Sequence, residues 1–344
     1  SFMISLRSLG LEVDFNGAKC SLRILDQTQL PHQEKWIEIQ TNEQMIEAIK
    51  SLRVRGAPLI GVAASLMIAK SALEKTSQKL LLNQALALYE SRPTAVNLMI
   101  CVDRMLEQIK ENFDIKLIVR LAIQIFNEDV ELCDKISVNG ATLIKDGDQI
   151  LTHCNTGGLA TVGVGTALGV IRKAHEQGKN IHVYIDETRP LLQGGRLTAW
   201  ELQKLKIPCT LITDSMAAQL MSLKKITKAI VGADRIAVNG DFANKIGTYS
   251  VAVNCLYHSI PFYMAAPYTT IDPKCNNGTE IPIEQRNTNE VQGFGDLIWA
   301  PKKMEVYNPS FDVTPRKLVS AWIMDSAVYR NKDVEKGAFK PRKE

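Results

Sequence analysis

Residues 149–158 read Gln-Ile-Leu-Thr-His-Cys-Asn-Thr-Gly-Gly, a short apolar run that closes on a thiol and opens into a glycine turn. Four runs of the same make follow, Ile181–Ile185, Cys209–Thr213, Ala229–Ala233 and Pro261–Ala266, with helical stretches between them expected to begin near Gly158, Arg196, Ser215 and Lys245. Strands alternating with helices imply a mostly parallel sheet covered on both faces, a doubly wound α/β fold. In such sheets ligands sit beyond the carboxyl ends of the strands, where strand order reverses. If the five runs take the common order 3-2-1-4-5, runs one and four are neighbours at that point. Their ends carry Cys154-Asn155 and Asp234-Arg235, so a thiol and a carboxylate distant in sequence face one crevice.

Upstream of Asn139-Gly140 the pattern differs. Cys20–Leu25 and Lys35–Ile39 are short, partly alternating stretches that suit a small antiparallel sheet. Met45, Ile46, Ile49 and Leu52 then line one helical face, and further helices are expected over Pro58–Glu74, Ser77–Tyr89, Ala95–Asn112 and Lys116–Val138. The 344 residues therefore divide into a smaller, mainly helical N-terminal domain, 3–140, and an α/β domain, 141–344.

Composition removes several function classes. With 41 Lys+Arg against 37 Asp+Glu and no concentrated basic face, the chain gives no support to nucleic-acid binding. The apolar run Ala57–Ala69 is broken by Pro58 and Gly61 and is shorter than the roughly 20 residues of a membrane span. Seven cysteines stand far apart without a CxxC pair, and the five histidines lack HxxxH or HExxH spacing. That favours free thiols in a reducing compartment and argues against a zinc site. Nothing after Ser1-Phe2-Met3 forms the apolar core of an export signal, so the cytoplasm is the expected location.

Several segments carry candidate chemistry. Gly157 and Gly158 sit in a strand-to-helix turn whose backbone N–H groups can meet an anion. Gly163, Gly165 and Gly169 are expected inside the helix that follows, where they allow close packing and make a poor dinucleotide fingerprint, although Asp186 stands at the end of the second run. Arg53-Val54-Arg55-Gly56-Ala57-Pro58 sets two guanidinium groups and open amides before a helix start, which suits phosphate. Arg92 stands in a similar turn, and Asn244-Lys245 is expected to open a helix after Asn239-Gly240-Asp241. Taken singly, each is read first as structure: turn chemistry, surface ion pairing, or a packed cysteine.

Together the segments are more specific. RGAPLIG (55–61), SRPTAVNL (91–98), THCNTGGLATVG (152–163), DETRPLLQGGRLTAWEL (186–202), VGADRIAVNGDFANKIGTYSVAV (231–253), FYMAAPYTTID (262–272), IPIEQRN (281–287) and NPSFDVTP (308–315) closely resemble the methylthioribose-1-phosphate isomerase family. The resemblance runs in order from about residue 20 to about residue 325. It implies a Rossmann-like catalytic domain, a homodimer, no metal and no organic cofactor. It also implies conversion of 5-methylthioribose 1-phosphate to 5-methylthioribulose 1-phosphate in methionine salvage. Carried over by motif, Cys154 and Asp234 become the catalytic pair, with Asp234 a proton donor. Arg55, Gly56, Ala57, Arg92, Gln193, Asn244 and Lys245 become the contacts to the sugar phosphate.

Two other members of the superfamily remain as alternatives, a ribose-1,5-bisphosphate isomerase and a non-catalytic regulatory module. Departures from the family pattern are small: Leu59, Thr156, Gly158 and Gly195 stand where alanine is usual. None removes a functional group, and the added glycines are expected to loosen the phosphate-side turn.

Overall fold

Alternation builds the first sheet. In Leu11-Glu12-Val13-Asp14-Phe15 the apolar residues are buried and the acids are not, the period-two pattern of a half-covered strand. The structure, a computed structural model, describes residues 2–342. Its strands β1 (Phe2–Arg7), β2 (Leu11–Gly17), β3 (Lys19–Leu25) and β4 (Trp36–Glu38) form an antiparallel sheet in sequence order. The expected sheet is thus present, with two more strands ahead of Cys20.

Five helices follow: α1 (Asn42–Lys50), α2 (Ala57–Leu73), α3 (Gln78–Tyr89), α4 (Val96–Glu111) and α5 (Ile115–Ala141). Thr41 and Gln44 close a reciprocal capping box at the start of α1, satisfying two of its orphan N–H groups. Helix α2 is apolar on every side and buried from Leu59 to Leu73, which makes it the axis of this core. It packs against α1, α3, α4 and β3. Gly61 permits the approach to α4, because a Cβ there would lie 2.7 Å from Cys101 Sγ and 2.9 Å from the Asn97 carbonyl. The first turns of α2 and α4 therefore lie side by side.

Cα proximity divides the chain into two compact units, one of residues 1–135 with 157–165, the other of 136–156 with 166–344. The second contains β5 (Gln149–Thr152), α6 (Ala167–Glu176), β6 (His182–Asp186), α7 (Ala199–Lys204), β7 (Cys209–Ile212), α8 (Ala217–Ser222), β8 (Lys228–Val231), β9 (Arg235–Ile236), β10 (Phe242–Lys245), α9 (Thr248–Tyr257), β11 (Phe262–Ala265), β12 (Gly293–Phe294), β13 (Leu297–Ile298), β14 (Phe311–Thr314), β15 (Ala321–Ile323) and β16 (Val328–Tyr329). The main sheet has the order β16-β15-β11-β8-β5-β6-β7, parallel except for β16. Its five expected strands stand in the order 3-2-1-4-5. Neighbouring residues bury to opposite faces: Ile150 and Ile230 join Leu168, Ile171 and Leu202 on one, Leu151 and Val231 join Met221, Val251 and Cys255 on the other. Both faces are covered, as a parallel sheet requires.

Two expectations are corrected here. Helix α6 begins at Ala167 and not near Gly158, so Gly163 and Gly165 precede the helix and only Gly169 lies inside it. The cause is local: Gly165 has φ +98° and Thr166 has φ −99° with ψ −93°, both outside helical geometry. Likewise Asn244-Lys245 closes strand β10, which pairs with β9 and β14 in a separate antiparallel sheet, and α9 starts only at Thr248.

Trp322 on β15 is fully buried, donates its indole N–H to the Gly240 carbonyl at 3.0 Å and meets Phe339 edge to face. Trp322→Ala is expected to cost about 3–5 kcal/mol in urea unfolding of the folded chain, the usual range for a buried large aromatic.

Candidate active site

Strand β5 pairs with β8 through Thr152 and Ile230, and the Thr152 hydroxyl also donates to the Ile230 carbonyl at 3.0 Å. The chain then turns sharply. Cys154 is buried with φ +63°, a left-handed backbone that costs a non-glycine residue on the order of 1–3 kcal/mol. Its peptide groups are gripped from both sides: the Cys154 N–H donates to Thr188 Oγ1 at 2.8 Å, and Thr198 Oγ1 donates to the Cys154 carbonyl at 2.7 Å. Asn155 donates from Nδ2 to Glu201 at 2.7 Å. Thr188 is itself left-handed, φ +65°, and Asp214 holds it by accepting the N–H groups of Thr188 and Arg189 at 2.9 and 2.7 Å.

Asp234 follows β8, half-buried, with its backbone N–H donating to the Ala243 carbonyl at 2.8 Å. That bond starts the β9–β10 hairpin, so Asp234 and the pair Asn244-Lys245 belong to one small sheet. Asn244 is buried and donates to Thr248 Oγ1 at 3.0 Å. The Lys245 ammonium lies 4.6 Å from the centre of the Phe311 ring. Gln193 is buried just before one turn of π-helix, Gly194–Thr198, and its carbonyl Oε1 has no hydrogen-bond partner. A buried acceptor left open costs about 1–3 kcal/mol, which a ligand hydroxyl would recover.

The first unit holds Arg55, Gly56, Ala57 and Arg92. Arg53 is spent on Asp26 and Glu47, whereas Arg55 is buried beside Gln27, bonding its Oε1 at 3.2 Å. Gly56 has φ +108°, and a Cβ there would lie 2.5 Å from the Ala160 backbone. Only glycine fits both demands. Ala57 starts α2, and Arg92 stands in the turn before α4. Two arginines thus precede two adjacent helix N-termini, an arrangement suited to an anion.

His153, Asp186 and Asp214 offer one nitrogen and two carboxylate oxygens within 4.8 Å of one another. Such a set resembles a cation site in composition. Most of its atoms have partners within the protein: His153 Nδ1 meets Asp186 Oδ2 at 2.8 Å and both Asp214 oxygens accept backbone N–H groups, while Asp186 Oδ1 is buried without a partner. Burial alone would pull the imidazole pKa down, but the hydrogen bond and charge of Asp186, with Asp214 behind it, hold it above the ordinary value. Asp186 is legible as a strand-end acid, whereas His153, Asp214, Thr188 and Thr198 are not legible as parts of a site. The available signal was register, since Thr152 opposite Ile185 sets His153 opposite Asp186.

The model of the initiation factor 2 subunit family matches residues 53–330. A methylthioribose-1-phosphate isomerase of Yersinia pseudotuberculosis is 54% identical over 326 residues, 94% of each chain. One from Cronobacter sakazakii is 53% identical over 342 residues, 98% of this chain and 99% of its own. The crystal structure of 5-methylthioribose 1-phosphate isomerase from Pyrococcus horikoshii OT3 superposes with a TM-score of 0.86 at 39% identity, covering 95% of both chains. A structure from A. fulgidus described as translation initiation factor eIF-2B, subunit delta, gives 0.82 at 42% identity, covering 97% of this chain and 98% of that one. The chain belongs to the methylthioribose-1-phosphate isomerase family, within the wider initiation factor 2 subunit family.

Proposed function

We propose that the chain converts 5-methylthioribose 1-phosphate to 5-methylthioribulose 1-phosphate in methionine salvage. The observation that carries this reading is the paired strand ends: β5 and β8 are neighbours, and Cys154 and Asp234 follow them within full motif blocks. A buried thiol at a strained left-handed turn and an open, buried Gln193 carbonyl favour a catalytic site over a regulatory subunit.

Carbon 1 of the substrate is a phosphorylated acetal, so its ring cannot open to a free aldehyde. Asp234 is assigned as the acid that protonates the ring oxygen as its bond to carbon 1 breaks. The cation left at carbon 1 can then be discharged by two routes. Loss of the carbon 2 proton to Cys154 gives an enol phosphate, which is reprotonated at carbon 1 as the carbon 2 hydroxyl gives up its proton and becomes the ketone. Alternatively the carbon 2 hydrogen crosses with its electron pair, and the carbon 2 hydroxyl sheds its proton to become the ketone. Arg55, Arg92, the amides at Gly56 and Ala57, Gln193, Asn244 and Lys245 are assigned to the phosphate and sugar hydroxyls. The helical residues 3–140 and the α/β residues 141–344 are proposed as the two domains.

A cytoplasmic homodimer fits two further observations. All seven cysteines are free thiols, as a reducing compartment favours. Helix α9 exposes Tyr249, Val253, Leu256 and Tyr257, spaced along one face. A row of large apolar side chains of that kind marks an interface.

Purified protein given methylthioribose 1-phosphate is expected to form the ketose, followed by NMR; no product under saturating substrate would exclude the isomerase. Asp234→Asn and Cys154→Ser are each expected to lower turnover by at least about 10²-fold with an unchanged melting curve, the usual scale for losing an acid–base group. Full activity in either overturns its role. In deuterium oxide, deuterium at carbon 1 of the product identifies the enol route, and its complete absence identifies transfer of the original hydrogen. Leu256→Glu on α9 is expected to convert a dimer into a monomer in analytical ultracentrifugation; a wild-type monomer would defeat the assignment.

A further inference from the structure

Every acceptor around one imidazole points to the same arrangement. His153 is 1% exposed. Its Nε2 lies 2.8 Å from the Ile246 carbonyl, and a carbonyl can only accept, so Nε2 carries a proton. Its Nδ1 lies 2.8 Å from Asp186 Oδ2, so a second proton lies between those two atoms. Asp186 is equally buried and its other oxygen has no partner. A carboxylate so poorly supplied with donors is compensated best by a neighbour bearing full positive charge. Two more carboxylates face the ring: Asp214, after β7, and Asp312 on β14, whose oxygens accept the N–H groups of Gly247 and Tyr249 at 2.8 and 3.1 Å.

The ring also determines the shape of the turn after β10. Gly247 has φ +104°, and a Cβ there would lie 2.8 Å from His153 Cε1. The imidazole therefore lies close against Gly247, leaving no room for a side chain, while bonding the carbonyl of the residue before it. One side of His153 is joined by a peptide bond to Cys154. The other is hydrogen-bonded to the residue next to Lys245. Resting on the isomerase reading above, we propose that His153 is a positioning residue, a doubly donating imidazolium that straps the Cys154 turn to the Lys245–Gly247 turn and sets the thiol against the substrate-holding side chains.

Such a strap governs alignment more than affinity, because Asn244, Lys245 and Gln193 persist without it. Misplacing reacting groups by about 1 Å costs on the order of 10²-fold in rate. His153→Gln, which keeps a donor for Ile246 but carries no charge, and Asp186→Asn, which removes the counter-charge, are each expected to lower kcat by about that factor with KM within about threefold. Wild-type kcat in both variants would overturn the proposal. Should a variant fold poorly, wild-type protein with 15N-labelled histidine decides: one of the five histidines is expected to hold both ring nitrogens protonated through pH 8 while the others titrate. A neutral imidazole with a single N–H at pH 7 would overturn it. So would a stoichiometric divalent cation in purified wild type that is lost in His153→Gln. If wild type itself makes no ketose, the isomerase reading fails; if wild type turns over and the variants match it, only the strap fails.

Discussion

The contact between His153 and Asp186 is the constraint on which the second unit's site depends. It joins the carboxyl ends of two adjacent parallel strands, β5 and β6, within a buried layer. Around it the chain adopts two left-handed residues, Cys154 and Thr188, that neither residue type favours. Their cost is tolerable only because hydrogen bonds over-determine them: Thr188 and Thr198 hold Cys154, and Asp214 holds Thr188. The strain and the bonds that enforce it therefore form one device, which presents a side chain beyond the sheet edge in a single orientation.

The first unit solves a different problem with different means. Its two arginine-bearing turns lie at the starts of α2 and α4, which Gly61 allows to touch. What the unit must supply is exactness of backbone path, and Gly56 against Ala160 supplies it. The segment 157–165 is fastened there by Leu59 N–H to the Ala160 carbonyl at 3.0 Å, and by Val162 N–H to Asp129 at 2.8 Å. Asp129 is buried enough that its pKa is pushed up to about 6, with the Val162 bond pulling the other way. Segment 157–165 begins three residues after Cys154, so the fastening and the thiol share one short length of chain.

Much of this was legible in sequence, for physical reasons that differ by element. The five central strands could be read because each is a short apolar run ending in turn residues, and their order followed from the common doubly wound topology. Strands β9, β10 and β14 carry no such signal: Phe242-Ala-Asn-Lys245 is too short and too polar at its end to look like a strand, and its partner β14 lies far along the chain. Strand β2 shows the reverse, since its alternation of apolar and acidic residues is plain in the sequence although it lies ahead of the expected sheet. The motif-bearing residues Cys154 and Asp234 were found through strand ends and resemblance. Thr188, Thr198 and Asp214 were not, because their work is done by hydroxyl and carboxylate bonds to the backbone of a left-handed turn, which no periodicity encodes.

The departures from the family pattern separate cleanly once the turns are seen. At Gly195 a Cβ would meet neighbours no nearer than 3.7 Å, ordinary contact, so the alanine usual in the family fits this backbone and the glycine answers no steric demand. Thr156 is different. Its carbonyl accepts the Thr166 N–H at 2.8 Å and its hydroxyl accepts the Leu168 N–H at 3.2 Å, closing the neck through which the chain departs at 157 and returns at 165. An alanine would keep the first bond and lose the second, leaving one more unsatisfied N–H in the first turn of α6. The threonine thus offsets the freedom that Gly158 adds beside Gly157 in the same turn, a turn within a segment tied at both ends.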